Sequence, residues 1–328
     1  IEGALEAGVG RLAGHRPRAL VLLRRPGTSR AAADLMAAQL GPAAPVPVVL
    51  TDAVPTWIGP LDVVVAHTAQ ATDADLADGI ALAVRRGAEV VLSAPGDGPV
   101  ASAGAGRVRL VEPRIPVPAG LDLAQGLSVG LVTLATLGLL DIAVPDGIGM
   151  LADELDAEAE RNQPGHEPFV NPAKSLALRL ADHVPLLWGT DRLAAAAAGH
   201  AADALAAHAG VVAHAGELGS AAMATELVRA LDRGAASAGI FHDPFDDPGG
   251  AATPPVRLVL LATGDEDPTQ VSLRITGRVW PAADLAHPVD EVPRGVRHAP
   301  LLRAAVLASR FVAAAVYLGL ATRTIEPA

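Results

Sequence analysis

The sequence of 328 residues contains no cysteine, which excludes disulfide bonds and metal sites built on thiolate ligands. Chains without cysteine suit reducing compartments, and residues 1–14 lack the basic and apolar segments of a signal peptide, so we expect a cytoplasmic protein. Aromatic residues make up only 2% of the chain, although hydrophobic residues make up 51%. Alanine supplies much of this apolar share, and such small side chains suit helices lying close on a parallel sheet.

Positive charge is also scarce, because 25 lysines and arginines stand against 36 acidic residues. The formal net charge is −11 and the pI is near 5.3. A field of this sign repels a nucleic-acid backbone, so we expect no nucleic-acid partner. It does not exclude one small phosphate group, which a few backbone N–H groups at a helix N-terminus can bind locally.

The chain has no long hydrophobic run that is free of polar interruption. The apolar stretch 119–144 contains Asp122, and the stretch 301–320 contains Arg303 and Arg310. A charged side chain at the centre of a bilayer is costly, so we predict no membrane span.

Short β-branched runs alternate with longer helical stretches in the first half of the chain. This alternation is typical of a parallel sheet covered by helices on both faces, and therefore of an α/β fold. The predicted strands are 18–23, 46–51, 62–67, 89–93 and 107–111, and the predicted helices are 28–40, 73–86 and 121–139.

The charge-rich segment 151–166 predicts a solvated connecting helix and linker, after which the same α/β pattern starts again. We therefore predict an N-terminal domain over 1–150, a linker over 151–170 and a C-terminal domain over 171–328. The predicted elements of the second half are helices 174–181, 192–207, 221–231 and 301–320 and strands 184–188, 211–214 and 256–262. Residues 271–279 fit either a strand or the start of a helix, and 242–253 predict an exposed loop.

The first candidate binding loop, residues 25–30, follows the first strand and opens the first long helix. Gly27 would let the backbone approach an anion, and Thr28 and Ser29 offer hydroxyl groups beside the positive end of the helix dipole. The same residue types are also common N-caps of ordinary helices. The pattern alone leaves both interpretations open.

Two further loops follow predicted strands. In residues 66–73, Thr68 could contact a ligand and Thr72 with Asp73 predicts a helix N-cap, while His67 is either a catalyst or a satisfied polar residue. Ser93 begins the third loop, 93–99, whose proline and glycine content also fits a simple turn.

The remaining motifs predict neither a metal nor a nucleotide cofactor. The histidines show no zinc-binding spacing. The acidic cluster at Asp243, Asp246 and Asp247 does not match a calcium loop. Neither a P-loop nor a dinucleotide-binding glycine motif is present.

Four segments resemble the SIS (sugar isomerase) domains of the bifunctional phosphoglucose/phosphomannose isomerase family. Residues 54–64, VPTWIGPLDVV, resemble the segment before the first phosphate loop of that family. The Asn171-Pro172-Ala173-Lys174 motif and the VPLLWG stretch at 184–189 resemble the opening of its second SIS domain, and VYLGL at 316–320 resembles its closing helix. Together they span nearly the whole chain, which looks like a divergent, actinobacterial-type member.

The resemblance implies two tandem SIS domains, each a parallel sheet flanked by helices in three αβα layers. It also implies a homodimer that binds a phosphorylated sugar without any cofactor. The first phosphate loop of the family reads Gly-x-Gly-Gly-Ser, and this chain keeps Gly27 and Ser29 but has Arg25 and Thr28 at glycine positions. The implied phosphate and sugar ligands are Arg25, Gly27, Thr28, Ser29, Thr68, Thr72 and Ser93.

The resemblance assigns the catalytic base to Glu217, because the family places a glutamate there to move a proton between C1 and C2 of the sugar. Ser220 stands where the family has its ring-opening histidine, and His214 or His298 could substitute for it. The implied activity is the conversion of glucose 6-phosphate or mannose 6-phosphate to fructose 6-phosphate through a cis-enediol. A catalytically inactive SIS protein, acting as a sugar-phosphate sensor or scaffold, is the alternative that the altered loops leave open.

Overall fold

The computed structural model describes residues 1–118, 120–144, 146–237 and 254–325. The chain forms two compact units, Ile1–Asp153 (unit 1) and Glu154–Ala328 (unit 2). The predicted loop 242–253 and its three aspartates lie outside the described residues.

Unit 1 is built on a five-stranded parallel sheet. Its strand order is β2-β1-β3-β4-β5, so the first strand lies inside the sheet between the second and the third. The strands are β1 (Ala19–Leu23), β2 (Val48–Thr51), β3 (Asp62–His67), β4 (Glu89–Ser93) and β5 (Arg109–Val111). Because β1 and β3 are buried along their whole length, both faces of the sheet need a covering layer.

Helices supply these layers in unit 1. They are α1 (Glu2–Glu6), α2 (Thr28–Leu40), α3 (Ala74–Arg85), α4 (Gly98–Ala103), α5 (Leu123–Thr136) and the first part of α6 (Asp146–Arg161), with a 3-10 turn at Val9–Leu12. The side chains of Val21 and Val64 join α3 and α4 in one apolar cluster. Alternate residues of a strand point to the opposite face, where α2 and α5 pack against each other.

Unit 2 repeats this plan with a four-stranded parallel sheet in the order β7-β6-β8-β9. The strands are β6 (Val184–Gly189), β7 (His214–Glu217), β8 (Val256–Leu261) and β9 (Asp284–Ala286). Its helices are the remainder of α6, α7 (Pro172–Leu180), α8 (Arg192–Ala209), α9 (Leu218–Ala221), α10 (Thr225–Ser237), α11 (Pro268–Thr276) and α12 (Ala299–Ala321).

Two apolar clusters cover the two faces of the second sheet. Leu187 and Val259 face an alanine-rich cluster formed with α7, α8 and α12. On the other face, Trp188 is fully buried and meets Trp280 edge-on at 5.7 Å between ring centroids. Both units thus have helices on each side of a parallel sheet, and the predicted α/β class with three αβα layers is confirmed.

Most predicted elements form, and the exceptions have local causes. The predicted strand 211–214 is wrong, because Val211 still donates its N–H to Leu205 O at the end of α8 and the strand begins only at His214. Of the open segment 271–279, residues 271–276 belong to α11, whose first turn is capped by Asp267, and the helix ends at Gly277. The connecting helix predicted in the linker 151–170 does form, since α6 runs to Arg161.

Helix α12 is the one described helix whose length and apolar composition would allow it to cross a membrane. More than half of its most apolar window is buried inside the protein, and it packs against α7 and α8. On this helix Arg303 is buried and Arg310 is partly buried, and both are hydrogen-bonded within unit 2. These contacts make α12 a core helix of unit 2.

Candidate functional site

The strand order of the first sheet has a switch point between β1 and β3, because the chain places β2 on one side of β1 and the later strands on the other. In open α/β sheets of this order, ligands bind beyond the carboxyl ends of the strands at such a switch point. The loop from β1 to α2 and the loop from β3 to α3 flank this position. The predicted residues Arg25, Gly27, Thr28, Thr68 and Thr72 belong to these two loops.

The N-terminus of α2 is open to solvent. Gly27 is its N-cap residue with φ of +80°, and among the described residues no side chain caps the helix. No atom outside the adjacent chain lies within 4 Å of the point where a Cβ would stand at Gly27. The backbone approach predicted for Gly27 is therefore sterically free, and the predicted side-chain cap does not form.

The hydroxyl groups of this loop bond inside the protein instead. Ser29 Oγ accepts from the N–H of Arg25 at 3.1 Å and donates to Leu23 O at 3.3 Å. Thr28 Oγ1 donates to a carboxylate oxygen of Asp122 at 2.8 Å. Both side chains are buried. Because both hydroxyl groups are buried and hydrogen-bonded inside the protein, a ligand at this loop meets chiefly backbone N–H groups.

Arg25 fastens the two loops of the switch point together. Its Nε and Nη2 donate to the two carboxylate oxygens of Asp73 at 2.8 and 2.7 Å, and its Nη1 donates to Asp52 O at 2.9 Å. The Asp73 hydrogen bond raises the pKa of Arg25 further. Burial pushes the pKa of Asp73 upward, but the bonds from Arg25 and from the N–H of Leu76 outweigh it and leave the pKa below its ordinary value.

A buried series of polar side chains lies beneath the open helix end. His67 places Nε2 2.9 Å from Asp122 Oδ2 and Nδ1 3.0 Å from Ser93 Oγ. With the bond from Thr28 to Asp122, four side chains form one series, which we call the His67 network: Thr28, Asp122, His67 and Ser93. Each member is no more than 6% exposed. Of the two interpretations left open for His67, the structure favours the buried polar residue, because His67 is only 5% exposed and lies between Ser93 and Asp122.

The charge of Asp122 is stabilised inside this network. Burial pushes the pKa of its carboxyl upward, but the hydrogen bonds from His67 and Thr28 and the charge of His67 outweigh burial. The pKa of Asp122 therefore lies below its ordinary value, and the group is a carboxylate at neutral pH.

The two threonines of the second loop have different surroundings. Thr68 is buried and its hydroxyl oxygen accepts from the N–H of Gln70 at 3.0 Å. Thr72 is exposed, and the following residue, Asp73, is the N-cap of α3 and accepts from Leu76 N. The predicted N-cap at this position is therefore confirmed.

Glu217 is the last residue of β7 and is exposed at the carboxyl edge of the second sheet. It pairs in register with Gly189, the last residue of β6. Ser220, three residues further on, is also exposed. His214 lies at the opposite end of β7, where its Nδ1 accepts from Trp188 Nε1 at 3.1 Å. The length of β7 therefore separates His214 from the carboxyl edge, where Glu217 lies.

The switch point of the second sheet is closed by internal hydrogen bonds. Asp191 caps α8 and also accepts from the N–H and the hydroxyl of Thr263, at 3.1 and 2.7 Å. The fully buried Arg303 donates to the carbonyl oxygens of Thr263 and Gly264. The loop after β8 is thereby fixed from both sides.

A cleft of about 320 Å³ lies between α7, β9 and α12 in unit 2. Two arginines line it, and both are paired with carboxylates: Arg179 with Asp284 and Arg310 with Glu158. Because these cations are already neutralised, the cleft offers little to an anionic ligand.

Comparisons with known proteins agree with this architecture. Residues 169–323 match the family described as the bacterial phospho-glucose isomerase C-terminal SIS domain. The search among curated proteins gave no match.

Solved structures resemble the whole chain. A protein provisionally described as a phosphosugar isomerase, from Silicibacter pomeroyi, superposes with a TM-score of 0.62 at 16% identity over 100% of this chain and 93% of its own. The tagatose-6-phosphate ketose/aldose isomerase of Escherichia coli gives 0.56 at 11% identity over 97% and 88%.

The two sheets, their order and these likenesses define an SIS-type α/β protein. More particularly, the chain has the SIS fold found in phosphosugar isomerases, and its residues 169–323 match the C-terminal SIS domain of the bacterial phospho-glucose isomerases.

Asp122 is the site residue that sequence reasoning missed. It precedes α5, far from the predicted loops along the chain, and lies 94 residues from its partner Thr28. An aspartate before an apolar helix predicts an N-cap, yet no side-chain cap bond forms here. Its true role depends on tertiary contacts that no local pattern carries.

Proposed function

We propose that this protein binds a phosphorylated monosaccharide and isomerises glucose 6-phosphate or mannose 6-phosphate to fructose 6-phosphate, as a bifunctional isomerase without a cofactor. The observation that carries the proposal is the open N-terminus of α2 at the switch point of the first sheet. The SIS fold and the match of residues 169–323 support a phosphorylated sugar as the ligand.

A phosphate group suits the N-terminus of α2 for electrostatic reasons. The helix dipole supplies roughly half a positive charge there, and the first-turn N–H groups, apart from that of Arg30, are donors without intrahelical partners. Gly27 leaves room for an oxygen to approach the backbone. Arg25 adds a guanidinium group on one side, although its charge is shared with Asp73. Backbone donors therefore supply most of the recognition, with the exposed Thr72 as a further donor.

Glu217 is the proposed base. An exposed carboxylate can remove the proton from C2 of the open-chain aldose, and the same group can return a proton to C1 of the resulting cis-enediol. The proton on the O2 hydroxyl leaves as the ketone forms, while O1 gains one. Ser220 cannot act as the acid that opens the sugar ring in the way a histidine would, so we expect ring opening in solution to limit turnover.

A coupled assay with both sugar phosphates tests the catalytic part. We expect fructose 6-phosphate formation by the wild type and a loss of roughly 10²–10⁴-fold in kcat for Glu217→Gln, the range for a general base. Glu226→Gln is the matched control, because Glu226 is also an exposed glutamate of unit 2, and its kcat should be unchanged. Equal activity of Glu217→Gln and wild type would exclude Glu217 as the base.

Thermal melting with ligands tests the binding part. Glucose 6-phosphate at 100 times its Kd should stabilise the protein by about 2.7 kcal/mol, whereas unphosphorylated glucose should not. Binding without turnover would support the sensor or scaffold alternative. No stabilisation by any sugar phosphate would contradict the proposal. Light scattering of the purified protein tests the proposed homodimer.

A further inference from the structure

The His67 network connects every loop around the proposed phosphate site. His67 ends β3 and Ser93 ends β4, while Thr28 begins α2 and Asp122 precedes α5. We infer that His67 is a positioning residue that holds the first turn of α2 in the orientation needed to bind a phosphate group. This inference rests on the proposed function for its ligand, but its structural part can be tested alone.

The chemistry of the partners fixes how the imidazole is bonded. A carboxylate only accepts hydrogen bonds, so His67 Nε2 must carry a proton and donate to Asp122. Ser93 has a hydroxyl, which both donates and accepts. Nδ1 of His67 therefore keeps a partner whether or not it is protonated. The ring is held on two sides in either charge state.

Serine, histidine and aspartate together suggest a hydrolytic triad, but the geometry contradicts that role. A nucleophilic serine must reach a substrate, and Ser93 is 0% exposed. Thr28 lies beyond Asp122 in the series, where a triad has no member. The network instead ends at Thr28, the first residue of α2, so it can fix the orientation of the open helix end.

The packing around His67 leaves no freedom for the ring to move. Gly126 of α5 lies against it so closely that a Cβ there would stand 2.5 Å from Cδ2 and 2.6 Å from Cγ of His67. A side chain at position 126 would displace the ring. The close approach and the hydrogen bond to Ser93 fix the ring, the ring contacts Asp122 at 2.9 Å, and Asp122 accepts from Thr28.

The inference predicts a local effect when the network is cut. Without His67, Asp122 keeps a buried charge with one partner fewer, and we expect the first turn of α2 to open to relieve it. The N–H groups of Arg25 and Arg30, which donate to Ser29 Oγ and Gly27 O, would then exchange faster with solvent, and phosphate affinity would fall because the unpartnered donors are no longer preorganised.

Hydrogen exchange and binding, measured on the same full-length variants, test this. His67→Leu removes the hydrogen bond to Ser93 and the contact with Asp122, whereas His67→Gln keeps an amide nitrogen that can donate to Asp122. We expect His67→Leu to speed exchange at residues 24–31 at least tenfold and to raise the Kd for glucose 6-phosphate about tenfold. His67→Gln should recover most of both effects.

Two controls separate positioning from general destabilisation. His200→Leu removes another histidine that is 5% exposed, but in α8 of unit 2, and it should leave exchange at residues 24–31 unchanged. Residues 76–85 of α3 report on the overall stability of unit 1, and their exchange should rise less in His67→Leu than that of residues 24–31.

The possible outcomes distinguish the two claims. Equal acceleration of residues 24–31 and 76–85 in His67→Leu, or no acceleration at all, would overturn the positioning role. If wild type binds neither glucose 6-phosphate nor inorganic phosphate while residues 24–31 still respond, His67 holds the helix but the proposed function is wrong. A raised Kd with local acceleration, both recovered by His67→Gln, supports both claims.

Discussion

Replacing Arg303 by methionine should destabilise unit 2 strongly. Arg303 is 0% exposed, and its Nε donates to Val292 O at 2.9 Å. Its Nη1 donates to Thr263 O at 2.9 Å and to Gly264 O at 2.8 Å. Methionine fills a similar volume but offers no donor, so Arg303→Met leaves three carbonyl oxygens without this partner.

The size of the effect follows from these bonds. A hydrogen bond to a charged group contributes about 1.5–3 kcal/mol, but effects within one network do not add fully. We expect the free energy of unfolding to fall by about 4 kcal/mol, near the value for breaking a buried charged cluster. In a domain of this size, about 1 kcal/mol shifts Tm by roughly 2–4 °C, so Tm should fall by about 8–16 °C.

The ion pair with Asp265 provides the comparison. Asp265 lies 2.8 Å from Nη1, but its side chain is 55% exposed, and exposed pairs contribute only about 0–1 kcal/mol. Asp265→Asn should therefore change Tm by less than about 4 °C in calorimetry or in dichroism melting. If the Asp265 variant melts as low as Arg303→Met, or if Arg303→Met melts like wild type, the reasoning from buried carbonyl partners is refuted.

Further predictions concern a buried carboxylate and two glycines. Burial pushes the pKa of Glu158 upward, but the hydrogen bonds and charges of Arg310, Asn162 and Arg161 outweigh burial and lower the pKa. A carboxyl whose pKa is lower in the folded protein stabilises the fold above its unfolded pKa, and this stabilisation is lost as pH falls through the folded pKa. Glu158→Gln should therefore cost about 3 kcal/mol at neutral pH, and the gap to wild type in urea unfolding should shrink below about pH 4; a gap independent of pH would contradict this. Gly126→Ala should lower stability by about 1–2 kcal/mol in spite of the better helix propensity of alanine, because its Cβ would clash with His67. Gly199→Ala in α8 meets no atom within 4 Å and should instead stabilise by up to about 1 kcal/mol, so equal signs for the two variants would refute the packing argument.

The elements that local patterns predicted well are those with strong boundaries. The predicted helix 28–40 is α2 itself, since Gly27 and Gly41 bound it on both sides. The sequence of β7, His-Ala-Gly-Glu, has no strand preference of its own and forms a strand only because it pairs with β6. The predicted strand 211–214 rested on the valines at 211 and 212, but Val211 is still hydrogen-bonded to the end of α8.

The sequence predicted which loops form the candidate site, but it did not predict the hydrogen bonds between their side chains. A glycine between a strand and a helix is visible in the sequence, and it marked Gly27 as a point of anion approach, although the pattern left an ordinary N-cap open as well. The partnership of Thr28 with Asp122 was not, because their separation along the chain carries no periodic signal. Arg25 was expected beside a ligand, yet its first partner is Asp73, which the sequence marked only as a helix cap.

The scarcity of aromatic residues gives each unit its own optical reporter. Unit 1 contains Trp57, which is 46% exposed, whereas unit 2 contains the buried Trp188 against Trp280. Loss of the second unit's core should therefore shift its emission towards the red, while Trp57 already emits from a wet environment. A fluorescence titration of Trp57→Phe with denaturant then follows unit 2 alone, and comparing it with circular dichroism, which follows the helices of both units, can reveal whether the two units unfold together or one after the other.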